Sequence, residues 1–415
     1  MPPDSISIMQ AKIEKTINKA NEDNKMTTRH ALNEKYRKAT KVVCRQGMFP
    51  FQVSDTAINI IKRVVKSEQE LDFICAFSKA SSQTRDQLMA SSGFNEQEIE
   101  ILGSGLAKEG LIFNQPNTKG IMIYRLLPLV MIGLMEYKFM TPLSGSDEER
   151  ELAGLFETLL EELRVSVQKN YKELSPLFAA APALDRTVPA QSTEDGSKIT
   201  IIKVNKTLDT PENWVLPSQT IEDIINKFDD IAVGYCFCRQ RRNLLGDACA
   251  TKAPTLNCFT FGKSARHTIA QGFAKQISRQ KALEIMKDAE DAGLIHKAFH
   301  PGSRESSFET SICNCCKDCC DTFNLWRNGT LPMINSTFHL SVIDKETCTG
   351  CGICIDFCPT DAITLESDGY AVRQENSCIG CGVCARFCPE KAISLQEGFR
   401  RVFVPPPQHN RLFDK

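Results

Sequence analysis

Cysteine is the residue type in this sequence best suited to chemistry, and its placement is uneven. Of nineteen cysteines in 415 residues, only Cys44 and Cys75 precede residue 236, and the other seventeen fall between 236 and 388. The stretch SICNCCKDCC, residues 311–320, alone carries Cys313, Cys315, Cys316, Cys319 and Cys320. Upstream lie the C-x-C pair Cys236 and Cys238, then Cys249 and Cys258. In a reducing compartment such density needs a use other than structural disulfides, and metal or cluster ligation is the leading one. Cys44 and Cys75 have no partner spacing, and Cys75 sits in the apolar phrase LDFICAF, so both read as ordinary buried residues.

The most specific pattern is an internal repeat of period thirty. CTGCGICIDFCPTDAITL at 348–365 matches CIGCGVCARFCPEKAISL at 378–395 at eleven of eighteen positions, and both halves show C-x2-C-x2-C-x3-C-P. A cubane needs four thiolates at its iron corners, and a short turn-rich loop can wrap three of them round one face. Gly350, Gly352, Gly380 and Gly382 permit that tight path and let amide N–H groups approach the sulfurs. The segment resembles a two-cluster 4Fe-4S ferredoxin, in which the fourth cysteine of each run ligates the other cluster. By that rule one [4Fe-4S] cluster takes Cys348, Cys351, Cys354 and Cys388, and the other takes Cys378, Cys381, Cys384 and Cys358. Zinc also accepts four thiolates, but through paired C-x2-C knuckles rather than this duplicated run.

The remaining nine, Cys236, Cys238, Cys249, Cys258, Cys313, Cys315, Cys316, Cys319 and Cys320, exceed what one cubane needs. They suit one or two further [4Fe-4S] clusters, with zinc as the alternative and a thiol–disulfide switch as a smaller one, because vicinal cysteines bridge only with strain. Arg239, Arg241 and Arg242 follow the C-x-C pair and either offset cluster charge or form a solvated basic turn. His267, His296 and His300 lie nearby as lone histidines, which are more often packing residues than ligands.

These groups must be positioned by several domains, a multidomain α+β arrangement. Residues 1–50 carry ten Lys or Arg against five Asp or Glu and read as a flexible basic arm. Over 51–145 the order helix, helix, helix, hairpin resembles a winged helix, with a hairpin in FNQPNTKGIMIYRLL and Glu96, Glu98 and Glu100 early in the last helix. Acid there repels phosphate, which counts against DNA as a partner. LLPLVMIGLM at 126–135 reads as a buried helix, too short and too interrupted by Pro128 to span a bilayer. GSGLAKEG at 103–110 follows a helix rather than a strand, so it reads as a helix end and not a dinucleotide fingerprint.

Residues 146–198 read as a helix and a linker, 199–335 as an α/β cysteine-rich cluster-binding domain, 336–400 as the 2[4Fe-4S] ferredoxin-like domain and 401–415 as a tail. In the middle domain a strand, KITIIKVNKT, leads through Pro217 to a helix with Ile221, Ile224, Ile225 and Phe228 on one face. A later helix starts at the Ser278 N-cap and stops at Gly293.

Taken together, the winged-helix-like start, CFCR, C-x8-CFTFG, DAGLIH, ICNCC-x2-CC and the terminal repeat resemble 4Fe-4S dicluster domain proteins of anaerobic microbes, over roughly residues 55–395. In that family glycine and a further cysteine stand where this chain has Lys317 and Asp318. The resemblance implies an iron-sulfur electron carrier. Balanced charge, net −1, excludes a chain built throughout to coat nucleic acid, and the N-terminus lacks a secretory signal, so a soluble, cytoplasmic protein is expected. No flavin, nicotinamide or phosphate motif is present, so two-electron chemistry is expected on a redox partner protein, within a multi-subunit oxidoreductase. The rival classes are a redox-sensing winged-helix regulator and an enzyme with a substrate-binding middle cluster.

Overall fold

The computed structural model describes residues 30–47, 51–183, 185–203, 220–251, 253–299 and 310–409. Residues 1–29 of the basic arm, Pro217 and His300 lie outside them. The chain divides into two compact units, Met1–Leu134 and Met135–Lys415.

In the first unit, residues 30–43 are helical and bury Ala39, Val42 and Val43, so the arm expected over 1–50 includes a docked helix. Helices Asp55–Val64 and Glu68–Cys75 follow, separated at Ser67, whose hydroxyl accepts from the Glu70 amide while the Glu70 carboxylate takes the Ser67 amide. The next pair, Arg85–Ser92 and Glu96–Lys108, turns at Gly93 in the left-handed conformation. Strands β1 (Ser82–Thr84), β2 (Ile112–Pro116) and β3 (Met122–Leu126) form a sheet in the order β1-β3-β2, the last two as the expected hairpin. GSGLAKEG closes the helix Glu96–Lys108, as its context required.

LLPLVMIGLM is not the expected helix. Residues 127–133 are irregular, with Met131 and Ile132 at positive φ, and a helix forms only over Leu134–Phe139. Pro128 has no N–H to give a helix, and its carbonyl accepts the Leu134 amide. A Cβ at Gly133 would come within 2.0 Å of the same carbonyl.

The second unit is organised by one nine-stranded sheet. Its strands are β4 (Asp185–Val188), β5 (Ile201–Ile202), β6 (Ile231–Tyr235), β7 (Leu256–Phe261), β8 (Lys275–Gln276), β9 (Ile295–Phe299), β10 (Ser311–Cys315), β11 (Met333–Ile343) and β14 (Ile393–Val404). A separate two-stranded ladder joins β12 (Ile363–Leu365) to β13 (Ala371–Arg373). The large sheet runs β5-β14-β11-β4-β9-β10-β7-β6-β8.

Three domain boundaries drawn from the sequence do not survive this topology. The stretch taken as a linker supplies β4, buried at every position and hydrogen-bonded between β9 and β11. The boundary at 335/336 falls inside β11, so the ferredoxin-like and cysteine-rich segments share one sheet. The tail is docked as well: β14 reaches Val404, and the carbonyls of Pro405, Pro406 and Pro407 accept from Trp326, Tyr171 and Gln168. KITIIKVNKT forms only the short β5, and residues 204–207 lie outside the described residues.

One face of the sheet is apolar. Helices Ile221–Asn226 and Arg279–Asp291 cover Val188, Ile231, Val233, Phe259, Phe261, Ala298 and Ile312, as the isoleucine face and the Ser278 cap predicted. Strand alternation turns Cys258, Lys297 and Cys313 the other way. Lys297 is fully buried there and pairs with Asp185 at 2.9 Å. Lys297→Met alone should lower stability by about 3–5 kcal/mol, because it strands a buried carboxylate, and adding Asp185→Leu should restore most of it. Denaturant unfolding decides; a double variant no more stable than the single one would contradict the pairing.

Candidate metal centres

The repeat halves build two near-twin cavities. One, of about 340 Å³ including its mouth, is lined by Cys348, Cys351, Cys354 and Cys388. The other, of about 330 Å³, is lined by Cys378, Cys381, Cys384 and Cys358. Each therefore combines three cysteines of one half with the fourth of the other, the grouping expected from the crossover rule.

The loops that hold these thiols depend on glycine at two close approaches. Gly350 (φ 68°) and Gly380 (φ 64°) are left-handed, and a Cβ there would lie 1.8 Å from the Gly369 carbonyl oxygen and 2.1 Å from that of His339. Backbone amides reach the sulfurs: Ala362 donates to Cys358 Sγ at 3.2 Å, and Ala392 donates to Cys388 Sγ at 3.3 Å, the same bond in both halves. Phe357 and Phe387, also equivalent in the repeat, stack with centroids 4.0 Å apart. Burial pushes the Cys354 thiol up to about 11 and raises Cys358, Cys381 and Cys384 as well. Thiolates in such surroundings need a cation bound to them, which is what iron provides. The residues fit a [4Fe-4S] group in number, type and cradle.

The nine middle cysteines are brought together from four segments, and they sort into two sets. Cys258 on β7 faces Cys313 on β10 across the ladder, and Cys315 shares their face two residues on. Cys236 and Cys238 begin the helix Phe237–Leu244, and Cys320 caps the helix Asp321–Arg327. These six thiols neighbour one another in a ring, in the cyclic order 236, 258, 313, 315, 320, 238. Burial opposes the ionisation of all six, and each thiol's charge is coupled to that of its neighbours, so the set as a whole needs positive charge beside it.

Cys249, Cys316 and Cys319 form the second set, with all three sulfurs within 4.8 Å of one another. The vicinal pairs thus divide: Cys315 and Cys320 join the ring while Cys316 and Cys319 turn away from it.

Positive charge is built in beside both sets. Arg239 and Arg241 are 3 % and 2 % exposed, so the solvated-turn reading fails for them, while Arg242 is part-exposed beside Asp247. Burial works against the Arg239 cation, but the sulfurs of Cys236, Cys319 and Cys249 outweigh it and hold the guanidinium firmly charged. Lys297 behaves likewise: burial opposes its charge, and Asp185 and Cys315 more than restore it. Arg241 is held by Glu157 and by Asp321 at 2.6 Å.

Among the described residues, the two histidines of this region, His267 and His296, are engaged elsewhere. His267 is enclosed by the rings of Tyr137 and Phe273, and His296 faces the helix side, bonded to Asn314 and Glu290. Cys44 is buried as expected, and Cys75 partly so.

Sequence reasoning missed Lys297, because one lysine in IHKAF carries no sign of burial. It also missed the use of Lys317 and Asp318. Lys317 donates to the carbonyls of Ile355 and Asp356, and Asp318 accepts the Ala250 amide at 2.7 Å. They dock the cysteine loop onto the first ferredoxin-type loop and onto the segment carrying Cys249.

Residues 341–395 match the family model of the 4Fe-4S dicluster domain. A stretch of 34 residues, 8 % of this chain, is 47 % identical to a protein of Methanosarcina thermophila named "Probable ferredoxin", of which it covers 59 %. The chain thus spans little more than half the length of that relative. No solved structure matches. The C-terminal part of this chain is a ferredoxin-type 4Fe-4S dicluster domain, set within a mixed α/β protein.

Gly380→Ala should collapse the second cavity and cost about four irons per chain, the content of one cubane. Gly398→Ala, where a Cβ meets nothing within 4 Å, should cost none. Iron analysis of both variants checks this, and full iron in Gly380→Ala would contradict the close approach.

Proposed function

We propose that this protein is an iron-sulfur electron-transfer protein or subunit. It relays single electrons through two ferredoxin-type [4Fe-4S] clusters and an additional cluster of the middle module to a partner redox enzyme. The observation that carries the reading is the pair of twin cavities with exchanged fourth cysteines. When bound, such clusters supply one-electron storage at potentials set by hydrogen bonds to sulfur, charge and exposure.

The chain's own residues set those conditions differently at the two quartets. Cys351 is exposed, and Cys348 and Cys388 are half-buried, so the first quartet lies near the surface where a partner docks. Cys358, Cys378 and Cys384 are buried, and the second quartet shares an apolar core with the ring: Cys381, Ile379, Val383, Phe357 and Phe387 pack with Cys313, Cys315 and Cys320. Low dielectric and short separation on that side favour exchange within the protein rather than with solvent. The six-thiol ring is the site of the additional cluster, with Arg239 and Lys297 offsetting its charge. Reducing, cytoplasmic surroundings suit this density of free thiols.

The first unit fits a winged-helix-like docking module. Its order of helices with a three-stranded sheet supports that reading. DNA is disfavoured as its partner, because the helix Glu96–Lys108 begins with Glu96 paired to Arg85 and Glu98 engaged in its cap.

Anaerobically purified protein should contain about twelve cluster irons with matching acid-labile sulfide, at four per cubane. About eight would remove the middle cluster from the account, and none would overturn it altogether. Cys358→Ser should abolish the EPR signal that Cys378→Ser abolishes, although the two residues lie in different repeat halves. Loss of the Cys351→Ser signal instead would contradict the exchanged ligation.

A further inference from the structure

The nine middle thiols do not behave as one ligand pool. We propose that Cys249, Cys316 and Cys319 form a site for a single thiophilic divalent ion, zinc or ferrous iron, separate from the cluster ring and open at its fourth position. This rests on reading the middle module as metal-binding, and it adds a second, mononuclear centre to it.

Spacing carries the inference. A tetrahedral ion at about 2.3 Å from each sulfur places its thiolates about 3.8 Å apart. Cys249 and Cys316 Sγ are 3.4 Å apart, Cys316 and Cys319 Sγ are 3.0 Å apart, and all three fall within 4.8 Å. A cubane spreads its thiolates more widely, since each binds a different iron corner. The two ferredoxin-type quartets show that wider arrangement: among the described residues no thiol–thiol hydrogen bond joins members of either quartet, and neither forms so compact a group.

The local architecture is that of a metal knuckle. Cys316 and Cys319 stand in C-x2-C spacing, and the Cys319 amide donates to Cys316 Sγ at 3.0 Å. The intervening Asp318 accepts from Ala250 at 2.7 Å, which clips the segment carrying the third thiol against the knuckle. Ala253, Ala289, Ala292 and Leu294 wall the site with small apolar groups.

Arg239 supplies an independent observation. It is 3 % exposed, its Nη1 is spent on the carbonyls of Ala253 and Pro254, and its buried Nε and Nη2 have no hydrogen-bond partner. A buried guanidinium with two idle donors calls for an anion beside it. Three thiolates around one divalent ion leave a net charge of −1 that this cation meets. The fourth position is then left for a water or an exogenous soft donor such as a thiolate, entering on the side of Cys249, the half-exposed member.

The test compares two variants of the full chain, purified anaerobically: Cys316→Ser with Cys319→Ser, and Cys313→Ser with Cys315→Ser. Metal and acid-labile sulfide are measured for both, and cobalt(II) is loaded in place of the mononuclear ion. The first variant should lose one metal ion per chain with no loss of sulfide, together with the thiolate-to-cobalt charge-transfer band. The second should lose cluster iron and sulfide together. Loss of about four irons with four sulfides from the first variant would overturn the separate site while leaving a middle cluster in place. Total iron of about eight with a retained cobalt band would instead overturn the middle cluster and leave the mononuclear site standing. A wild-type chain with neither a mononuclear ion nor a cobalt band would also overturn the site.

Discussion

A thiolate removed from water must meet positive charge, and seventeen cysteines confined to one stretch of chain make that the constraint the second unit is built around. At the two repeat quartets, which fit [4Fe-4S] groups, iron would meet it, and their loops contribute amides as well as sulfurs. In the middle module two side-chain cations lie buried beside the sulfurs, Arg239 and Lys297. Each is itself costly to bury, and Lys297 is also held by Asp185, whereas the equally buried Arg241 is met by the carboxylates of Glu157 and Asp321. Sulfur and cation thus stabilise one another's burial, and removing either leaves the other exposed to the full desolvation penalty.

The continuous sheet is what brings the charge to the sulfur. Because β11 and β14 of the ferredoxin-type domain continue through β4 into β9, β10 and β7, the second quartet and the six-thiol ring fall on one apolar core. The Phe357–Phe387 stack lies in that core, against Gly293 at the end of the helix that backs the sheet, where a Cβ would come within 2.8 Å of Phe357. Lys317 ties the cysteine loop to the first ferredoxin-type loop. The two modules that the sequence suggests as separate domains are one mechanical and dielectric environment.

The repeat was legible because cubane ligation imposes a fixed local spacing: Cys348, Cys351 and Cys354 and their counterparts lie within one loop each. The ring was not, because its order alternates between segments. Cys258 meets Cys313 through strand pairing, and Cys238 meets Cys320 where two helices begin, relations set by sheet register rather than by spacing in sequence. The fate of vicinal cysteines was hidden for the same reason, since strand alternation at Cys315 ends before Cys316. Residues 185–188 were misread because β4 is only four residues long and follows a Pro- and Ala-rich stretch, while its burial comes from neighbours over a hundred residues away. In the first unit the periodicities of Ile58, Ile61 and Val64 and the capping residues sufficed, except at Pro128, where an apolar run outweighed a missing N–H.

The central claim, that sulfur-bound iron occupies the middle module as well as the terminal repeat, is tested most directly by anomalous diffraction at the iron edge from crystals grown without oxygen. The account predicts iron density in each of the two quartet cavities and a third region of iron density inside the ring of Cys236, Cys238, Cys258, Cys313, Cys315 and Cys320. Iron confined to the two quartets, with the six ring cysteines bearing none, would contradict it.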